Sequence, residues 1–66
     1  MKRETKYYVA TYYQNGGDKS IKRLSPYYPD MLTATIEGQK RRQHYDDILI
    51  RSLSPDNKTR KTLVVI

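Results

Sequence analysis

The sequence predicts an all-β protein: a small five-stranded antiparallel meander that curls into a partly open barrel of the general SH3-like or OB-like shape. Three observations predict it. Apolar and polar residues alternate in short runs. The runs are rich in Tyr, Val, Ile and Thr, which suit a pleated surface. Turn signals punctuate them at NGGD (15–18), SPYYPD (25–30) and SPDN (54–57).

The elements follow in order. Residues 6–14, KYYVATYYQ, form the first predicted strand. Gly16 and Gly17 after Asn15 accept positive φ at little cost, so NGGD reads as a hairpin turn and 19–24, KSIKRL, as the return strand. Pro26 and Pro29 remove two ladder donors and make 25–30 a rigid connection. Residues 31–38, MLTATIEG, alternate most cleanly: Leu32, Ala34 and Ile36 share one face, Thr33, Thr35 and Glu37 the other, the pattern of a half-buried strand. QKRRQ (39–43) is then a charged connection. HYDDILIRSL (44–53) has two readings. The β-branched Ile48 and Ile50 and the turn that follows favour a strand. A helix would align Tyr45, Ile48, Leu49 and Leu53 and pair Asp47 with Arg51, giving the alternative class, α+β, a sheet with one helix at about 40–53. Residues 59–66, TRKTLVVI, are apolar on both faces. They suit a closing strand or a strand buried in a homodimer.

The chain of 66 residues makes one small basic domain, 1–66. A domain this size buries only about 60% of the surface its unfolded chain exposes, leaving little room for a deep catalytic pocket. The absence of Cys excludes a disulfide framework and a thiolate metal site. The polar start at Met1, Lys2 and Arg3 has no signal-peptide core behind it, and no apolar run approaches the ~18 residues of a membrane span, so a cytoplasmic, soluble protein is expected. The single His, His44, shares a strand face with Asp46, but two groups are not a metal site. Asp46 and Asp47 are expected to pair with Arg41, Arg42 or Arg51. Gly16 and Gly17 lack the spacing of a phosphate loop, and no serine has an identifiable base beside it. The reading is therefore of a non-catalytic protein that needs no cofactor.

All seven aromatic residues are tyrosine. Along 6–14, Tyr7, Val9, Thr11 and Tyr13 point one way and Tyr8, Ala10 and Tyr12 the other, so some rings lie outside the core. A phenol has a polar tip that wants water or a partner. Thirteen Lys and Arg against seven Asp and Glu give a net charge of +6, which favours phosphate-rich or acidic partners. Tyrosines beside cations are a common way to hold single-stranded nucleic acid, by stacking bases and following phosphates. The candidate binding residues are Tyr8, Tyr12, Lys22, Arg23, Tyr27, Tyr28, Lys40, Arg41 and Arg42. The expected partner is DNA or RNA, single strand before duplex.

By size and composition the chain is similar to the compact accessory proteins of phages and mobile elements. The alternative function is an interaction protein of that type that docks on an acidic surface of a larger nucleic-acid-handling enzyme and inhibits or modulates it, the same cations meeting carboxylates and Tyr12, Tyr27 or Tyr28 serving as buried anchors.

Overall fold

The computed structural model describes residues 4–66; Met1, Lys2 and Arg3, read above for a leader, lie outside the described residues. The protein is α+β. Four antiparallel strands, β1 (Lys6–Asn15), β2 (Asp18–Arg23), β3 (Leu49–Leu53) and β4 (Arg60–Val65), form one open sheet in the order β2-β1-β3-β4, with one helix, α1 (Met31–Arg41). The expected five-stranded meander or barrel is therefore corrected. The α+β alternative fits better, but its helix is not at 40–53. That stretch holds the last two residues of α1, a short 3-10 turn (Arg42–His44) and then β3.

The hairpins are where turn chemistry places them. Gly16 and Gly17 have φ of 63° and 96°, as a two-residue turn of type I′ requires, and set Asn15 opposite Asp18. The β3–β4 loop turns on Asn57, at φ 63°, with Asn57 N–H donating to the Ser54 carbonyl at 2.9 Å. Asp56 stiffens this loop, its Oδ1 accepting from the Ser54 hydroxyl and, at 3.0 Å, from Lys58 N–H.

β2 and β3 each pair antiparallel with β1, so they run parallel to each other on its two sides. A parallel connection must cross over and needs a dozen or more residues, usually with a helix. That requirement is what a meander reading of 31–38 misses. Locally, Asp30 caps the helix. Its Oδ1 accepts from Thr33 N–H at 2.7 Å and its Oδ2 from the Thr33 hydroxyl at 3.0 Å. Glu37 pairs with Lys40 at 3.0 Å and Arg41 at 3.3 Å. The stripe facing the sheet is small: Ala34 and Gly38, four residues apart, are buried. A Cβ at Gly38 would stand 2.7 Å from Ile50 Cδ1 and 3.1 Å from Ile48 Cγ2. The bulky alternating residues point outward instead, Leu32 being 71% exposed and Ile36 45%.

Packing is two-sided. Val9, Ala34, Ile48 and Ile50 form the cluster under the helix, with Tyr7, Leu24, Tyr28 and Ile66 against it. Tyr8, Ala10, Leu49 and Leu53 form a second cluster on the opposite face, which no helix among the described residues covers. β1 is bonded along both edges even where β2 ends. Leu24 N–H donates to Val9 O at 2.8 Å, Val9 N–H to Ser25 Oγ at 2.8 Å, and Tyr7 and Tyr28 exchange backbone bonds at 2.9 and 2.6 Å. Ser25 thus takes over β1's outer edge beside Pro26, whose nitrogen has no hydrogen to donate. Among the described residues no helix is long and apolar enough to cross a membrane.

Replacing Gly38 with Val should lower the urea midpoint by the equivalent of about 1–3 kcal/mol, because the added methyls press on Ile50 and Ile48. Thr33 holds the Asp30 carboxyl below its ordinary range, Lys40 and Arg41 do so for Glu37, and Ser54 and Lys58 for Asp56. Depressed carboxylate values add stability that is present above the unfolded value near pH 4 and lost as pH falls through the folded one. The thermal midpoint should hold flat from pH 7 to about 5.5 and fall below about pH 4, and Asp30→Asn should flatten part of that fall.

Candidate nucleic-acid interface

Side-chain alternation divides the sheet into a helix-covered face and a bare one. The bare face takes Lys6, Tyr8, Ala10 and Tyr12 from β1 and Lys19, Ile21 and Arg23 from β2. It takes Leu49, Arg51 and Leu53 from β3 and Arg60, Thr62 and Val65 from β4, the register shifting between Ile50 and Arg51. None of these strand positions is acidic.

Tyr8 sits at the centre and is buried, so its ring is core. Tyr27 packs edge-on against it with centroids 5.4 Å apart. Cations cover the rings. Lys19 Nζ lies 4.5 Å above Tyr12 and Arg23 Cζ 4.5 Å above Tyr27, with Lys6 at 5.8 Å from Tyr27. Arg51 and Arg60 approach Tyr8 at 5.9 and 5.7 Å. Long cationic side chains thus stand over aromatic area that a second helix would otherwise cover.

The phenol oxygens organise the guanidiniums. Arg51 Nη1 donates to Tyr8 Oη at 3.1 Å and its Nε to Thr62 Oγ1 at 3.1 Å. Arg60 Nη1 bridges Tyr8 Oη at 3.4 Å and Tyr27 Oη at 3.5 Å, both near the outer limit of such bonds. Arg60's donation to the Tyr27 hydroxyl, joined by the charges of Arg60 and Arg23, outweighs partial burial and holds that phenol below its ordinary value. Reciprocally, the Tyr8 and Tyr27 hydroxyls hold Arg60 above its own. Among the described residues the ion pairs are those of Glu37 with Lys40 and Arg41, both on α1. Asp46 and Asp47 do not make the expected pairs with Arg41, Arg42 or Arg51. They line a groove with Tyr12, Lys19 and His44 at one end of the bare face, while Glu4 lines another with Lys6 and Tyr27 at the other end.

Of the sequence-predicted residues, Tyr8, Tyr12, Arg23 and Tyr27 come together here. Tyr28 belongs to the helix-side cluster. Lys22, opposite Thr11, points to the helix-side face at the sheet edge. Lys40 and Arg41 are on α1 and Arg42 in the following 3-10 turn, in the layer opposite the bare face. Arg51, Arg60 and Lys19 are additions that sequence reasoning missed. Lys19 was within reach of it, since a two-residue NGGD turn puts it on the same face as Tyr12. Arg51 and Arg60 required the β1–β3–β4 pairing. Among the described residues no group of three or more His, Asp or Glu gathers as a metal site.

Comparison with known protein families, curated proteins and solved structures finds no match for this chain.

If Tyr8 is core and Tyr12 and Tyr27 are surface rings, alanine scanning will separate them. Tyr8→Ala should cost about 3–5 kcal/mol in denaturant unfolding, and Tyr12→Ala or Tyr27→Ala about 1–2 kcal/mol.

Proposed function

We propose that the bare face of the sheet binds nucleic acid, single strands in preference to duplex, without catalysis. The observation that carries this reading is the coincidence, on one open face, of the five cation–ring contacts among the described residues and strand positions free of carboxylate. Lys6, Lys19, Arg23, Arg51 and Arg60 meet phosphates; Tyr12 and Tyr27 receive bases.

The rings are already covered by Lys19 and Arg23, so binding is an exchange. An exposed cation–π contact is worth about 0.5–1 kcal/mol, whereas a base stacked on an aromatic ring is worth about 1–3 kcal/mol. A strand therefore displaces the cations from the rings towards its own phosphates, where their charge acts more strongly. A duplex keeps its bases stacked and offers only the second half of that exchange. A cytoplasmic setting accompanies this reading, and the exposed Leu63, Val64 and Val65 on the edge strand β4 suit a homodimer compatible with it.

An acidic protein surface is the second reading. It is favoured by the outward Leu32 and Ile36 of α1, apolar contacts that a nucleic acid would not use. On that reading the protein modulates a larger enzyme by occupying its substrate groove.

Fluorescence anisotropy with single- and double-stranded DNA and RNA at two salt concentrations tests the proposal. Single strands should bind tighter, with a slope of log K against log salt between about −2 and −4, since each phosphate contact on a single strand contributes about −0.7. The double variant Arg23→Ala/Arg60→Ala should weaken binding to all sequences alike, and Lys40→Ala/Arg41→Ala should leave it nearly unchanged. Salt-insensitive retention, or equal loss from both pairs, would refute the bare face as the site. Absence of binding to all four nucleic acids at low salt would turn the assignment to a protein partner.

A further inference from the structure

The cations of the bare face are not equivalent. Three guanidiniums gather about two phenol rings between the middle of the face and its Lys6 end: Arg51 and Arg60 share Tyr8 Oη as acceptor, and Arg60 reaches Tyr27, whose ring Arg23 covers. Arg51 and Arg60 are held by neutral groups, the two tyrosine hydroxyls and the Thr62 hydroxyl, Arg23 lies over the Tyr27 ring, and among the described residues none of the three pairs with a carboxylate. A neutral acceptor positions a guanidinium without cancelling its charge. Most of its five N–H donors stay free, in a fork that matches phosphate oxygens. Of the carboxylates near this face, the Asp46–Asp47 pair stands with Lys19 at the far end, and Glu4 lines a groove with Lys6 and Tyr27 beside the cluster; among the described residues neither makes an ion pair with the three guanidiniums.

We infer that Arg23, Arg51 and Arg60 form a seat for a terminal phosphomonoester, so that the face recognises a phosphorylated strand end. This rests on the nucleic-acid reading of the same face. An internal phosphodiester carries a single negative charge and two free oxygens. A terminal phosphate carries about −1.5 to −2 and presents three acceptor oxygens. Three uncompensated guanidiniums exceed what the first can use and match the second. The terminal base meets Tyr27, which stands beside the seat. Tyr12, four residues along β1 from Tyr8 and about 14 Å away, takes a base farther into the strand.

The test uses the full chain and one short single-stranded oligonucleotide in three forms: 5′-phosphorylated, 3′-phosphorylated, and hydroxyl at both ends. Anisotropy should show one phosphorylated form binding at least about tenfold tighter than the hydroxyl form, as expected for added charge-assisted bonds. Arg60→Gln and Arg51→Gln should abolish that preference while leaving residual salt-dependent binding to all three forms. Arg60→Lys, which keeps the charge but loses the fork, should restore overall affinity without restoring the end preference. Lys19→Ala should weaken all three forms and keep the preference. Unfolding midpoints of the variants near that of the parent would show that they fold. Equal binding of all three forms by the parent overturns the seat and leaves the nucleic-acid reading standing. Failure of every form to bind overturns both.

Discussion

The structure depends on one constraint: a sheet whose two central strands are apolar on both faces, with a single α-helix among the described residues to cover it. Val9 and Ile50 turn to α1, and Tyr8, Ala10, Leu49 and Leu53 turn away from it, yet all are buried. The second face is closed by Tyr12 and Tyr27, packed against its cluster, and by the guanidiniums of Arg23, Arg51 and Arg60 over the tyrosine rings. Such a lid must be amphipathic, apolar below and polar above. This is a physical reason for tyrosine in place of phenylalanine, because a phenol packs by its ring and still offers an oxygen at the surface. The groups that complete the core therefore also make the charged surface.

That double role sets the electrostatics. On α1 the cations Lys40 and Arg41 find Glu37 and are partly neutralised. On the bare face Arg51 and Arg60 find hydroxyls. Geometry is satisfied in both places, but only the first satisfies the charge. A local run of cations such as QKRRQ (39–43) thus does not by itself say where positive charge stays unpaired. What counts is the acceptor beside each cation: on α1 it is a carboxylate one turn away in sequence, and on the bare face a hydroxyl brought there by the tertiary fold.

Much of the fold was legible in short-range chemistry. The KYYVATYYQ strand, the Gly16–Gly17 turn, the return strand and the final hairpin around Asn57 follow from β propensity and positive-φ residues alone. The helix was not. Leu32, Ala34 and Ile36 alternate as a strand would, and the opposing signals were quieter: Pro29 and Asp30 as a start, then Ala34 and Gly38 one turn apart. Small residues carry little hydrophobic weight in a sequence pattern, but they let a helix axis come close to a sheet. Here that closeness, against Ile48 and Ile50, decides the packing.

The candidate site divides the same way. By itself the sequence determined which residues of β1 share a face, and hence that Tyr8 and Tyr12 travel together, because strand alternation is a local property of the backbone. It also determined the positive charge and the tyrosine-only aromatic content. Only the tertiary structure decided that Tyr8 is interior while Tyr12 and Tyr27 are half-exposed, that Lys40, Arg41 and Arg42 sit in the opposite layer, and that Arg51 and Arg60 meet on one phenol oxygen. Those facts depend on β3 pairing with β1 rather than with its predecessor in the chain, a long-range choice enforced by the crossover through α1, which no periodicity within a single segment encodes.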